Sequence, residues 1–477
     1  MTTSIVSTVT AASMGELRVA RDHQHRTDIV ELRLDGVARL DVDGALAGRT
    51  KPVIVTCRPV WEGGRFDGSD EERRRILRRA VELGAEYVDI EWRAGFDDLV
   101  RARGGRGVVL SMHDFEGVPA DLAERYAAMR AKGAEIVKIA VTARRLTDCL
   151  ALADACAAPG QTVLIAMGPS GVATRVLPSR FGSCWTYAGE AAPGQLPLDT
   201  LLDCYRVRLH SDSTAIYGLV GAPTAHSLSP AIHNASFAAA GLDAVYLPLE
   251  AASVDDFVAF ATDLRIDLRG ASVTAPFKVA ALRILREQDA MVMQAGSVNT
   301  LRRGAQGWSG RNTDIPALAA TLPAEMGPNA RAAILGAGGA ARAAVFALRE
   351  RGAIPVVYTR RPNADGVFDH AGTPLRSGLP APGSWDVLVN ATPVGTFPAV
   401  EETPIPAALL SGRVVYDLVY NPPVTRLQRE ASAAGCTVVG GLEMLIRQAG
   451  LQAAWWTGQP PTAEVMRQAA LQKWGRE

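Results

Sequence analysis

Over roughly its first 210 residues the chain repeats one pattern, a short apolar run followed by a stretch with helical spacing. The runs fall at Ser4–Thr10, Ile29–Leu34, Val53–Cys57, Tyr87–Trp92, Val108–Met112, Ile136–Val141, Val163–Met167 and Ser183–Tyr187. Strands that alternate with helices pair in parallel, and eight of them close into a (β/α)8 barrel. Polar residues stand at the ends of these runs: Glu31 and Arg33 after the second, Arg58 after the third and His113 after the fifth. Lys138 lies inside the sixth, in Glu-Ile-Val-Lys-Ile-Ala-Val. A parallel strand is apolar on both faces, so an amine within it must be paired or uncharged. Barrel enzymes gather their chemistry at the C-terminal rim, and these side chains are expected to share one cup. A purely structural ion pair at Lys138 fits its position too.

At 477 residues the chain exceeds what one core supports, which predicts two or three domains. Equal totals of 50 basic and 50 acidic residues give no field for nucleic acid, so the expected partner is a small molecule. Six cysteines (57, 149, 156, 184, 204 and 436) show neither Cys-x-x-Cys pairing nor nearby histidines, which predicts no disulfide framework and no metal site. With no cationic leader and no run of about 20 apolar residues, the expectation is an untargeted cytoplasmic enzyme without a membrane span. Only five of the basic residues are lysines. Unlike arginine, a lysine can lose its proton and act as nucleophile or proton donor.

Leu209-His-Ser-Asp-Ser-Thr214 is short and polar and precedes a new apolar run, Ile216–Val220, which places a domain boundary there. Further on, Arg331-Ala-Ala-Ile-Leu-Gly336-Ala337-Gly338-Gly339-Ala340-Ala-Arg342 reads as strand, glycine turn and helix, with a second strand at Ile354–Tyr358. Glycines there let backbone amides approach a pyrophosphate at the helix N-terminus. Where NAD enzymes place an acid, this chain has Thr359-Arg360-Arg361, and guanidinium groups suit the 2′-phosphate of NADP. An exposed basic turn is the other reading of that tripeptide.

The motifs Glu31-Leu-Arg33, Arg58-Pro-Val-Trp-Glu62-Gly-Gly, Ser111-Met-His113-Asp-Phe, Ala134-Glu-Ile-Val-Lys138-Ile-Ala, Arg175, Phe181-Gly-Ser and Ala192-Pro-Gly-Gln195 resemble type I 3-dehydroquinate dehydratase. The resemblance implies that Lys138 forms an imine with the substrate ketone and that His113, oriented by Glu62, is the general base and acid. It also implies that Arg175 holds the carboxylate, while Glu31, Arg33, Arg58 and Gln195 bind ring hydroxyls. Ala191 stands where that family usually has a serine.

From residue 214 onward the chain resembles shikimate dehydrogenase. The likeness rests on His226-Ser227-Leu-Ser229-Pro-Ala-Ile-His233-Asn234, Val273-Thr274-Ala-Pro-Phe-Lys278, Gly296-Ser-Val-Asn299-Thr300 and Asn312-Thr-Asp314. It continues through Val389-Asn390-Ala-Thr392-Pro-Val-Gly395, Asp417-Leu-Val-Tyr420-Asn-Pro and Gly441-Leu-Glu-Met444-Leu-Ile-Arg-Gln448. By that likeness Lys278 and Asp314 are the proton-transfer pair. Ser227 and Ser229 hold the carboxylate, and Thr274, Asn299, Tyr420 and Gln448 contact the rest of the substrate. Gly336 to Ala340, Thr359, Arg360, Arg361, Asn390, Thr392 and Gly441 would hold NADP. Ser227 and Ser229 also read as turn formers before Pro230, and His226 and His233 as helix-start residues. Ser272, Thr396 and the Thr359-Arg360-Arg361 order depart from the usual asparagine, methionine and Asn-Arg-Thr.

The expected organisation is therefore a dehydratase barrel over 1–212, a shikimate-binding domain over 213–316, a Rossmann-like NADP domain over 317–442 and C-terminal helices over 443–477. Its substrates would be 3-dehydroquinate, 3-dehydroshikimate and shikimate, with no metal, nucleic acid or membrane, and the oligomeric state left open. An aldolase-like barrel fused to another dehydrogenase leaves His113, Arg175 and the Ser227/Ser229 pair without a task. A ligand sensor should lack at least one of Lys138, His113, Lys278 and Asp314.

Overall fold

The computed structural model describes residues 3–360, 368 and 372–475. Arg361 lies outside them. The chain divides into two compact units, Met1–Thr214 with Leu247–Asp267, and Ala215–Tyr246 with Leu268–Glu477.

The first unit contains eight parallel strands: β1 Ser4–Thr10, β2 Ile29–Arg33, β3 Val53–Thr56, β4 Tyr87–Glu91, β5 Val108–Asp114, β6 Ile136–Thr142, β7 Gln161–Met167 and β8 Trp185–Ala188. Their order is β7-β6-β5-β4-β3-β2-β1-β8. A bridge from Thr162 to Ser183, with the Cys184 N–H on the Thr162 carbonyl at 2.9 Å, brings the two ends of the sheet together. Period-two alternation explains the interior. Val6, Ile29, Ile54, Tyr87, Val109, Ile136, Val163 and Trp185 pack as one apolar layer. Burying each large side chain there contributes roughly 1.5–3 kcal/mol. Two residues further along each strand stand Thr8, Glu31, Thr56, Asp89, Ser111, Lys138, Ile165 and Tyr187. The same pleat thus carries an apolar floor and a mostly polar layer above it. His113 belongs to this pleat as well, inside β5 rather than beyond it.

Segment 247–267 contributes helix Val254–Thr262 to this unit. Its buried Asp256 carboxylate accepts hydrogen bonds from the Leu146 and Thr147 amides, both at 3.0 Å, and from Thr147 Oγ1 at 2.8 Å. These are orphan donors at the start of helix Thr147–Ala155, which has no side-chain cap of its own.

Two six-stranded sheets follow. The first comprises β9 Ala215–Gly221, β10 Ala244–Glu250, β11 Gly270–Val273, β12 Leu285–Gln288, β13 Thr300–Gly304 and β14 Gly307–Arg311. It is mixed, in the order β10-β9-β11-β13-β14-β12. The second comprises β15 Arg331–Leu335, β16 Ile354–Thr359, β17 Leu375–Ser377, β18 Val387–Asn390, β19 Val414–Asp417 and β20 Thr437–Val439. All its pairs are parallel, in the order β17-β16-β15-β18-β19-β20. That is the doubly wound dinucleotide-binding order, whose crevice opens where β15 meets β18.

Candidate active sites

In the first unit, Thr8, Glu31, Arg33, Arg58, His113, Lys138, Arg175, Tyr187, Ala191 and Gln195 line one cavity at the C-terminal ends of the strands. Lys138 Nζ is 3.3 Å from Asp89 Oδ2, 3.7 Å from Glu31 Oε1 and 4.3 Å from the centre of the Tyr187 ring. Arg58 donates to Asp89 and to Glu91, both at 2.9 Å, and to Ser111 Oγ at 2.8 Å. Arg73 pairs with the other Glu91 oxygen. Glu31 accepts the hydroxyls of Thr8 and Thr56, and Gln195 donates to Thr8. Burial works against ionisation of Asp89, but Arg58 and Lys138 outweigh it and hold the carboxyl well below its usual range.

His113 meets Glu62 twice, through its amide at 2.8 Å and Nδ1 at 3.3 Å. Burial, reinforced by the charges of Arg58 and Lys138, lowers the imidazole well below its usual value, so it is neutral at neutral pH. Burial pushes Glu62 the other way, up to about 7. Arg175 is buried, which brings it down to about 10; one terminal nitrogen donates to the Pro193 carbonyl at 3.2 Å and its Nε has no partner. Arg33 is committed to Asp35 through two contacts of 2.8 Å. The Ala191 amide donates to Gln195 Oε1, so this backbone fixes the glutamine at the cavity wall that Ala191 also lines.

The sequence reading missed Asp89, Glu91, Arg73 and Ser111. The signal for two of them is the spacing in Tyr87-Val-Asp89-Ile-Glu91, which sets two acids on one face of an otherwise apolar strand.

The second unit brings together Ser227, Ser229, Thr274, Lys278, Asn299, Asp314, Ala340, Thr392, Tyr420 and Gln448 around a cavity of about 410 Å³. Lys278 Nζ lies 2.5 Å from Asp314 Oδ2. Asn299 donates to Asp314 Oδ1 at 2.7 Å and to Thr313 Oγ1 at 2.9 Å, which fixes the carboxylate at the start of helix Asp314–Thr321. Ser229 opens helix Ser229–Ala239 and its amide reaches Ser227 Oγ at 3.2 Å. His226 sits at the rim with its ring 4.8 Å from that of Phe397, whereas His233 is fully buried and stacked 4.3 Å from Tyr246. Ser272 accepts the Tyr246 hydroxyl and donates to Gln452, a buried chain that reaches the cavity wall at Ser272 and Gln452 and that the sequence did not disclose.

The glycine turn fits a dinucleotide. Gly336 has φ +106°, and an added Cβ would meet the Ala391 carbonyl at 3.0 Å. A Cβ at Gly339 would come within 2.9 Å of the Lys278 side chain. Helix Gly339–Glu350 has no side-chain cap, which leaves its first amides available to phosphate oxygens. Ala337 packs against the core below, Thr359 ends β16, and the exposed Arg360 follows it. Asn390 stands behind the cavity. It donates to Asp417 at 2.9 Å and accepts from the Thr392 amide and hydroxyl, so its side chain holds Thr392 in position. At Gly441 a Cβ would meet the Leu418 carbonyl at 2.5 Å, so helix Gly441–Thr457 starts directly against that backbone. Thr396 Oγ1 is bonded to the Asn421 carbonyl at 3.0 Å.

Residues 5–212 match the type I 3-dehydroquinase family, 219–301 the shikimate dehydrogenase substrate binding domain and 441–471 the shikimate 5′-dehydrogenase C-terminal domain. The bifunctional 3-dehydroquinate dehydratase/shikimate dehydrogenase, chloroplastic, of Arabidopsis thaliana is 35% identical, covering 94% of this chain and 81% of that protein. The shikimate dehydrogenase (NADP(+)) of Microcystis aeruginosa is 36% identical over 54% of this chain and 97% of its own. A shikimate dehydrogenase crystallised with NADP+ superposes with TM-score 0.50 and 31% identity, over 55% of this chain and 97% of that one. A match to both halves in order, running through nearly the whole chain, means that this protein belongs to the family of bifunctional 3-dehydroquinate dehydratase/shikimate dehydrogenases.

Proposed function

We propose that the barrel dehydrates 3-dehydroquinate to 3-dehydroshikimate and that the second cavity reduces this product to shikimate with NADPH. The observation that carries the first step is an amine, Lys138, buried at a barrel mouth beside carboxylates and a neutral imidazole. Its ammonium and the substrate ketone combine to an iminium and water, with no net change in protons. The iminium accepts the electron pair left when His113 removes a proton from the adjacent carbon. His113 then returns that proton to the departing hydroxyl, so one imidazole serves both halves of the elimination. Glu62 orients the ring, and Arg175 pairs with the carboxylate through its unsatisfied donors. Glu31, Arg33, Arg58 and Gln195 hold the ring hydroxyls.

For reduction, NADPH supplies the hydride when bound, on Gly336 to Ala340, Thr359, Arg360, Thr392 and Gly441; Arg361 is assigned to the same role from sequence. Lys278, held by Asp314, gives a proton to the oxygen that becomes the new hydroxyl. Ser227 and Ser229 take the substrate carboxylate, and Thr274, Asn299, Tyr420 and Gln448 its ring. Removing a proton donor of this kind typically costs about 10²–10⁴-fold in rate.

The proposed division is 1–212, 213–316, 317–442 and 443–477, supported by the family matches at 5–212, 219–301 and 441–471 and, for 317–442, by the parallel sheet β15–β20. A cytoplasmic setting is supported by six free cysteines, although the Arabidopsis relative is named chloroplastic. No helix among the described residues is long and apolar enough to cross a membrane.

One assay tests both halves. Given 3-dehydroquinate and NADPH, the protein should oxidise the cofactor, and NADH should serve far less well, the gap narrowing in Arg360→Ala. Lys138→Arg should stop oxidation from 3-dehydroquinate but not from 3-dehydroshikimate. Borohydride should trap substrate on Lys138 of the unmodified protein, and trapping that persists in Lys138→Arg removes the imine.

A further inference from the structure

The barrel holds an alternating row of buried charges: Arg73, Glu91, Arg58, Asp89, Lys138 and Glu31, three of each sign. Within it, Asp89 is the carboxylate at hydrogen-bond distance from Lys138 Nζ. Glu31 stands further off, with its oxygens engaged by Thr8 and Thr56. Both Asp89 oxygens act as acceptors: Oδ2 from Arg58 and Lys138, Oδ1 from Ser111 Oγ at 2.5 Å. Three donors, two of them cationic, thus converge on the Asp89 carboxylate, which is fully buried.

We propose that Asp89 is a catalytic residue of the dehydratase, the fixed counter-ion that keeps the imine nitrogen of Lys138 protonated. This rests on the assignment of Lys138 as the amine that joins the substrate. Ammonium plus ketone gives iminium plus water, so the nitrogen beside Asp89 carries one positive charge both before and after the bond forms. The row stays balanced across the condensation. A neutral imine would be a far weaker electron acceptor, and it would leave the row with one uncompensated negative charge in the barrel. Proton abstraction by His113 then moves the positive charge to the imidazole, while the enamine N–H still donates to Asp89. The charged and titratable groups around the pair are Glu31 and Arg33 of β2, Arg58 after β3, Glu91 of β4, His113 of β5 and Tyr187 of β8. None of the other carboxylates among them lies nearer Lys138 than Asp89.

The test is the pH profile of dehydratase kcat in Asp89→Asn. Loss of an adjacent opposite charge should move the alkaline limb down by about 1–3 pH units. Turnover at a fixed pH above the limb then falls about tenfold for each pH unit the limb has moved. Reduction of 3-dehydroshikimate by the same polypeptide reports that the second unit is intact, and far-UV circular dichroism against the unsubstituted protein reports that the barrel is folded. A purely structural Asp89 lowers the amount of active barrel without moving the limb, and an unmoved limb overturns the proposal. Should Asp89→Asn fail to fold, Ser111→Ala decides, since it strips one partner from Asp89 and should displace the same limb by a smaller step. An unmoved limb there counts against the proposal equally. Borohydride trapping in the unsubstituted enzyme separates the two levels, because its absence defeats the Lys138 assignment itself.

Discussion

Asp89 and Glu62 are both buried carboxylates of the barrel site, and they behave in opposite ways because their partners differ. Asp89 faces two cations, whereas Glu62 meets mainly the His113 amide and ring, too little to offset burial. The folded chain therefore keeps the Glu62 proton up to about pH 7, while an unfolded glutamate releases it near 4.5. Between those values the native state binds more protons, so folding becomes less favourable as pH rises, by roughly 1.4 kcal/mol per pH unit. Glu62→Gln should flatten that slope in urea midpoints taken from pH 4 to 8, while dehydratase kcat falls and the reductase is untouched. A slope that survives the substitution assigns it to another group. Lys138 was legible in the sequence because an amine is chemically out of place in an apolar strand, and His113 because it stands at the end of one. Arg73 was not: it sits among Asp70-Glu-Glu-Arg73-Arg-Arg, which reads as a solvated helix face, yet its side chain is fully buried against Glu91. Only its helical spacing from Leu77 and Ala80, with which it shares the buried face, separates it from Arg74 and Arg75.

At the level of elements, the eight barrel strands lie where the apolar runs predicted because each is buried on both faces. Strand β12 gave no such signal, since Arg286, Glu287 and Gln288 are exposed and only its pairing with β14 makes it a strand. Helix Thr147–Ala155 shows the same lesson at its start. Its cap, Asp256, lies 109 residues away from Thr147, so no local motif announces it. Asp256→Ala leaves those amides without an acceptor, at a cost of about 1–3 kcal/mol. Thermal loss of dehydratase activity should then come at lower temperature, with kcat at 25 °C little changed; an unaltered midpoint shows that water replaces the carboxylate.

For the molecule as a whole, the boundary read at the polar stretch near residue 212 is one of three places where the chain passes between compact units. The others fall at 246/247 and 267/268, inside the region that matches the shikimate dehydrogenase substrate binding domain. A fragment 1–214 lacks the Asp256 cap together with the Ser170 and Arg180 contacts to the Glu250 and Arg265 carbonyls. It should retain dehydratase chemistry but melt below the barrel of the intact protein, by about 2–4 °C for each kcal/mol lost in a domain of this size. An equal midpoint would show that segment 247–267 adds nothing to the barrel. Because the path leaves and re-enters the first unit, a single nick at 214/215 parts that unit from its own segment 247–267, which stays behind on the fragment that carries the other unit.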